Sequence, residues 1–92
     1  MALLTEKQVV AQLKAAKGWE RIGDEIRRTF VYEDFVRAMG LVQSVALLAE
    51  KMNHHPDIDI RRNKVILALS THSAGGLTEK DFALAKQINS LP

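Results

Sequence analysis

Apolar residues recur every three or four positions in three stretches of the chain and alternate with polar residues between them. Val9, Val10, Leu13 and Ala16 keep the helical period. Thr5 and Gln8 stand ahead of them in capping-box spacing and Gly18 follows, so a helix is predicted over about residues 5–16. The longest helical pattern covers residues 34–52, where Phe35, Met39, Val42, Ala46 and Ala49 recur and Val36, Leu41, Val45, Leu47 and Leu48 widen the apolar surface. That is more than one face of a surface helix needs. Gly40 within it costs about 1 kcal/mol against Ala, which predicts close packing on another backbone. Thr78 opens a last helix containing Phe82, Ala85 and Ile88.

Two hairpins separate these helices. Trp19 to Ile22 and Glu25 to Tyr32 flank the turn Gly23-Asp24, with Ile26, Arg28, Phe30 and Tyr32 on one face and Arg28 as the misfit. Pro56 forbids continuation of the long helix and pushes His55 towards extended geometry. Ile58 and Ile60 then alternate with Asp57 and Asp59, Arg62-Asn63 can turn, and Val65, Leu67 and Leu69 return before a loop over 70–76. The order αββαββα predicts an α+β fold, a four-stranded antiparallel sheet with helices packed on one face. A weak internal echo, D-F-x-x-A at Asp34 and again at Asp81, accompanies it.

Composition narrows the function classes. Ninety-two residues make one domain, 1–92, small enough that self-association as a homodimer or homotetramer is a source of extra stability. The apolar excess over residues 35–48 would serve such assembly. A net charge of +2, spread evenly along the chain, argues against direct nucleic-acid binding. The absence of cysteine removes disulfides and thiolate chemistry. No apolar run is long enough for a membrane span and no signal-peptide core opens the sequence, so a cytoplasmic protein is expected.

The stretch from Asn53 to His72 carries the candidate chemistry. His54, His55 and His72 are the only histidines, and they stand at the two ends of a hairpin that brings the chain back on itself. Imidazole titrates near pH 6.5, which suits proton transfer. Glu50, four residues before His54, would lie on the same helical face and could fix that ring's tautomer. Plainer readings exist for each. A tandem His before Pro is commonly a solvated helix end, His72 could be an exposed loop residue, and Asp81, three residues after Thr78, suits a helix cap. A three-histidine metal site is disfavoured because adjacent His54 and His55 cannot readily aim at one ion. Trp19 could stack on a flat ligand but is more simply a core residue.

The residues A-E-K-M-N-H-H-P at 49–56, L-S-T-H at 69–72 and G-G-L-T-E-K-D at 75–81 resemble the pterin-4a-carbinolamine dehydratases in type and spacing. The resemblance covers nearly the whole chain. It implies a four-stranded sheet with helices on one side. It also implies loss of water from a 4a-hydroxytetrahydropterin, giving the quinonoid dihydropterin that is re-reduced as cofactor of aromatic amino acid hydroxylases. No metal or organic cofactor is implied. His54 and His72 become the acid–base candidates, with His55 positioning the pterin and sharing in proton transfer. Asn53, His54, His55, Ser70, Thr71, His72 and Ser73 form the implied substrate site, and Glu50 and Asp81 support it.

One departure concerns substrate contacts. Many members carry an aromatic residue eight positions after the first histidine, where this chain has Arg62, and Ile58 and Asp59 replace aromatics found in animal members. Animal relatives also serve as dimerisation partners of a homeodomain transcription factor through a helical surface. The alternatives to the enzyme are therefore a protein-partner module and a pterin-binding protein with another physiological ligand.

Overall fold

The computed structural model describes residues 2–92, so Met1 of the expected domain lies outside the described residues. Three helices and four strands follow in the predicted order: α1 (Glu6–Ala15), β1 (Glu20–Ile22), β2 (Glu25–Val31), α2 (Phe35–Met52), β3 (Asp57–Arg61), β4 (Lys64–Leu69) and α3 (Glu79–Asn89). A short 3-10 turn, His72–Ala74, interrupts the segment expected to be a plain loop. The sheet order is β1-β2-β4-β3 and every neighbouring pair is antiparallel. The two hairpins thus join through their second strands, which leaves β1 and β3 as edges.

Alternation decides which face is covered. Ile26 pairs with Leu69, Phe30 with Val65 and Ile58 with Leu67, so these side chains share one face. Ile26, Val65, Leu67 and Leu69 are fully buried there, in one core with Val9, Trp19, Val45, Phe82, Leu84 and Ile88. The other face presents Arg27, Thr29, Asp57 and Asp59, which are exposed. That is the helices-on-one-face arrangement, produced by period-2 strands facing period-3.6 helices.

Arg28 sits on the covered face for an identifiable reason. Its guanidinium lies 4.4 Å from the centre of the Phe30 ring and donates to the Lys17 carbonyl and to Asn89 Oδ1. Asn89 also accepts from the Trp19 indole at 2.9 Å and donates to the Lys17 carbonyl. The cation therefore closes the C-terminal ends of α1 and α3, where carbonyls lack helical partners. Gly18, at φ 87°, makes room for it, since a Cβ there would stand 2.8 Å from Arg28 Nε. At the surface, Arg21 joins β1 to α1 through Glu6. Their hydrogen bond, and then the guanidinium charge, holds the Glu6 carboxyl below the usual range.

Local signals set the helix starts. Thr5 and Gln8 form the predicted capping box of α1, and the Asp34 carboxylate accepts from the Arg37 amide at the start of α2. The D-F echo is not structurally equivalent. Asp34 is an N-cap whereas Asp81 is the third residue of α3, and Phe35 is 51% exposed whereas Phe82 is 1% exposed. Nor does another backbone close on Gly40, because a Cβ built there meets no atom within 4 Å. With open space around it, the glycine contributes only its entropic cost. Gly40→Ala is expected to stabilise the fold by about 0.5–1 kcal/mol. Chemical denaturation would check this, and a destabilised variant would contradict the open setting.

Candidate active site

The end of α2 determines where the histidines go. Asn53 adopts the left-handed conformation (φ 52°, ψ 43°), and two backbone bonds, Asn53 N–H to Glu50 O and His54 N–H to Ala49 O, close the helix in a Schellman-type cap. One left-handed residue is enough to take His54 off the helical face it would otherwise share with Glu50. The expected Glu50–His54 pairing is accordingly absent. Glu50 Oε1 lies 2.8 Å from Nε2 of His55 instead, at the exposed surface. His54 turns inward and is 8% exposed.

The partner of His54 is Asp81. Nε2 of His54 lies 2.6 Å from Oδ1 of Asp81, whose side chain is completely buried. The other oxygen, Oδ2, accepts from the Thr71 hydroxyl at 2.8 Å and from the Thr78 backbone N–H at 2.9 Å. An ionised carboxylate can only accept, so Nε2 is the His54 nitrogen that carries the proton. Thr71 gives its single proton to Asp81, and the Thr78 hydroxyl, 2.7 Å away, must then donate to Thr71. Asp81 thus holds the helix-start position expected of it and in addition gathers three donors from three segments. No buried side-chain nitrogen or oxygen among the described residues lacks a partner.

With Nε2 committed to Asp81, the Nδ1 side of the His54 ring is left for the adjoining cavity of about 410 Å³. That size lies within the range of about 300–1,000 Å³ common for small-molecule sites. Its lining contains all seven expected substrate-site residues: Asn53, His54, His55, Ser70, Thr71, His72 and Ser73. The bridge between Thr71 and Gly76, with Gly75 at φ 79°, folds the 70–76 segment back so that His72 stands exposed at this cavity. Of the two supporting residues, Asp81 lies behind the wall and Glu50 outside it. Among the described residues, no three His, Asp or Glu side chains group closely enough to hold a metal ion.

Two features escaped sequence reasoning. Lys80 lines the cavity, and its one legible signal is a basic residue in the first turn of a helix, where the dipole disfavours it. The Thr71–Thr78 hydroxyl relay pairs residues whose contact depends on the folded-back loop. Arg62, expected to alter the substrate rim, stands instead at the tip of the β3–β4 turn with φ 57°, at the opposite end of that hairpin from the cavity. Trp19 is a core residue, 5% exposed.

Known proteins resemble this chain along nearly its whole length. A family model described as pterin 4 alpha carbinolamine dehydratase matches residues 2–91. A protein of Roseiflexus castenholzii, provisionally named a pterin-4-alpha-carbinolamine dehydratase, is 53% identical over 90 residues, covering 98% of this chain and 97% of its own. One of Thermomicrobium roseum with the same provisional name is 50% identical over 91 residues, covering 99% and 98%. Among solved structures, a transcriptional coactivator/pterin dehydratase from Brucella melitensis superposes with a TM-score of 0.92 at 38% identity, covering 96% of both chains. A pterin dehydratase-like protein described as a RuBisCO assembly factor in the alpha-carboxysome shares the fold, with a TM-score of 0.68 at 19% identity over 83% of this chain and 90% of that one.

The hydrogen bonds around Asp81 set the expected cost of changing it. Asp81→Ala removes the acceptor of all three donors at once, so a loss of about 1–3 kcal/mol is expected by chemical denaturation. Undiminished stability in that variant would show that the three bonds do not hold the fold together as described.

Proposed function

The chain belongs to the pterin 4 alpha carbinolamine dehydratase family, and from that premise we propose that it is a cytoplasmic hydro-lyase formed by a single domain over residues 1–92. Its substrate is a 4a-hydroxytetrahydropterin, and its products are water and the quinonoid dihydropterin re-reduced for aromatic amino acid hydroxylases. The observation that carries this reading is the buried His54–Asp81 pair beside a cavity that also receives His55 and His72.

The reaction asks for two proton transfers. The C4a hydroxyl leaves as water once protonated, and the adjacent ring N–H loses its proton as the C–N double bond forms. One imidazolium and one neutral imidazole supply both ends. His54 contributes Nδ1, because Asp81 fixes the proton on Nε2, and this is the division of labour by which a carboxylate orients a catalytic histidine. His72, exposed on its 3-10 turn, is free to exchange protons with solvent. His55, steadied by Glu50, positions the ring and takes a share in proton transfer. The segments around Asn53 and Ser70–Ser73 provide the backbone and hydroxyl groups that hold the pterin.

A second observation supports self-association. Val36 and Leu47 on α2 are 77% and 73% exposed, and the β3 edge is open. A homodimer or homotetramer would cover such surfaces, and a protein partner could use the same helix.

His54→Ala and His72→Ala are each expected to lower the enzymatic rate of 4a-hydroxytetrahydropterin loss by about 10²–10⁴-fold, followed by absorbance with circular dichroism as a check on folding. Folded variants with wild-type rates would refute the acid–base assignment. Light scattering should give twice or four times the mass of the 10.3 kDa chain, and a monomer would refute the assembly.

A further inference from the structure

Thr71 lines the cavity, yet each of its polar groups is bonded elsewhere. Its backbone N–H donates to the Gly76 carbonyl at 2.9 Å, and its own carbonyl accepts from the Ala74 and Gly75 amides, both at 3.0 Å. These bonds tie Thr71 into the turn that carries His72 and fix where its side chain starts. The residue is 6% exposed, and its hydroxyl donates to Oδ2 of Asp81 at 2.8 Å. A hydroxyl has no second proton to give. The Thr78 hydroxyl, 2.7 Å away, occupies one of its lone pairs. While Asp81 holds that proton, the Thr71 hydroxyl cannot donate to a ligand in the cavity.

Resting on the dehydratase reading, we propose that the Thr71 hydroxyl is a positioning group for His54, acting through Asp81, and not a pterin contact. Oδ2 of Asp81 has two donors, the Thr71 hydroxyl and the Thr78 N–H. Two donors on one oxygen restrain the carboxylate from pivoting, so Oδ1 stays aimed at Nε2 of His54. Without the hydroxyl a single amide would hold Oδ2, and the imidazole would lose its fixed direction. The bond is strong enough to matter, because its acceptor is charged and both partners are buried. His55 has no such support, since its ring meets an exposed Glu50.

Thr71→Val keeps the side-chain shape, suits the extended backbone of this residue (φ -105°, ψ 93°) and removes only the hydroxyl. The expected result is a fall of about tenfold in kcat, with KM and the affinity for oxidised, unreactive 6-hydroxymethylpterin unchanged. Thr71→Ser should restore the rate. Thr71→Val also strands the Thr78 hydroxyl in the interior and should lose stability. The double variant Thr71→Val with Thr78→Val strands no hydroxyl, so it should regain stability but not rate. By NMR, the His54 Nε2 proton should exchange faster in both variants than in the wild type. A weaker affinity for the pterin probe at unchanged kcat would overturn the inference and make the hydroxyl a ligand contact. A rate that returns with stability in the double variant would overturn it in favour of a purely structural role. If the wild-type chain does not dehydrate the substrate, the dehydratase reading fails. The exchange rate of the ring proton then upholds or overturns the action of Thr71 on His54 by itself.

Discussion

Asp81 is the carboxylate on which the site depends. It is buried without a counter-ion of fixed charge, and a bare carboxylate in that setting would be costly. Three hydrogen bonds offset the cost, and each comes from a different segment: the end of α2 through His54, the folded-back loop through Thr71, and the start of α3 through Thr78. His54 and Thr71 tie the end of α2 and the folded-back loop to α3, and the Thr78 N–H caps the helix that carries Asp81 itself. The same three bonds that reconcile the carboxylate with the interior therefore also fix the cavity's geometry.

That constraint explains why structure and proposed chemistry are inseparable here. The His54 ring cannot rotate without breaking its bond to Oδ1, so its free nitrogen keeps one direction. Preorganisation of this kind lowers the barrier because the orientation is set during folding and not during reaction. His55 and His72 lack a buried anchor and are exposed, which suits groups that exchange protons with solvent or follow a ligand. The surrounding fold serves mainly to bring residues 53–55, 70–73 and 78–81 to one end of the sheet, and the β3–β4 hairpin does most of this by returning the chain beside its starting point.

Features governed by neighbours within four residues were legible in the sequence. Thr5 and Gln8, Thr78, Pro56 and the alternation around Ile58 and Val65 give the outer helix starts, the stop and the strand faces correctly, because caps and periodicity are local physics. Arg28 looked like an error on an apolar face, and only the converging ends of α1 and α3 explain it. Glu50 was matched with His54 by counting helical turns, and a single left-handed residue, Asn53, handed it to His55. The His54–Asp81 bond spans 27 residues, a separation at which no periodicity operates. Family resemblance placed both residues near the site but could not say that they touch. Lys80 belongs to no motif read in the sequence, and only the fold brings it to the cavity.

The central claim is that Asp81 holds the neutral His54 ring as its Nε2–H tautomer, with Nδ1 open to the cavity. Long-range ¹H–¹⁵N correlation spectroscopy of the histidine rings tests it most directly. A protected Nε2 proton on His54, with a pyridine-like Nδ1, is the predicted result. An Nδ1–H tautomer, or a ring exchanging freely between both forms, would contradict it.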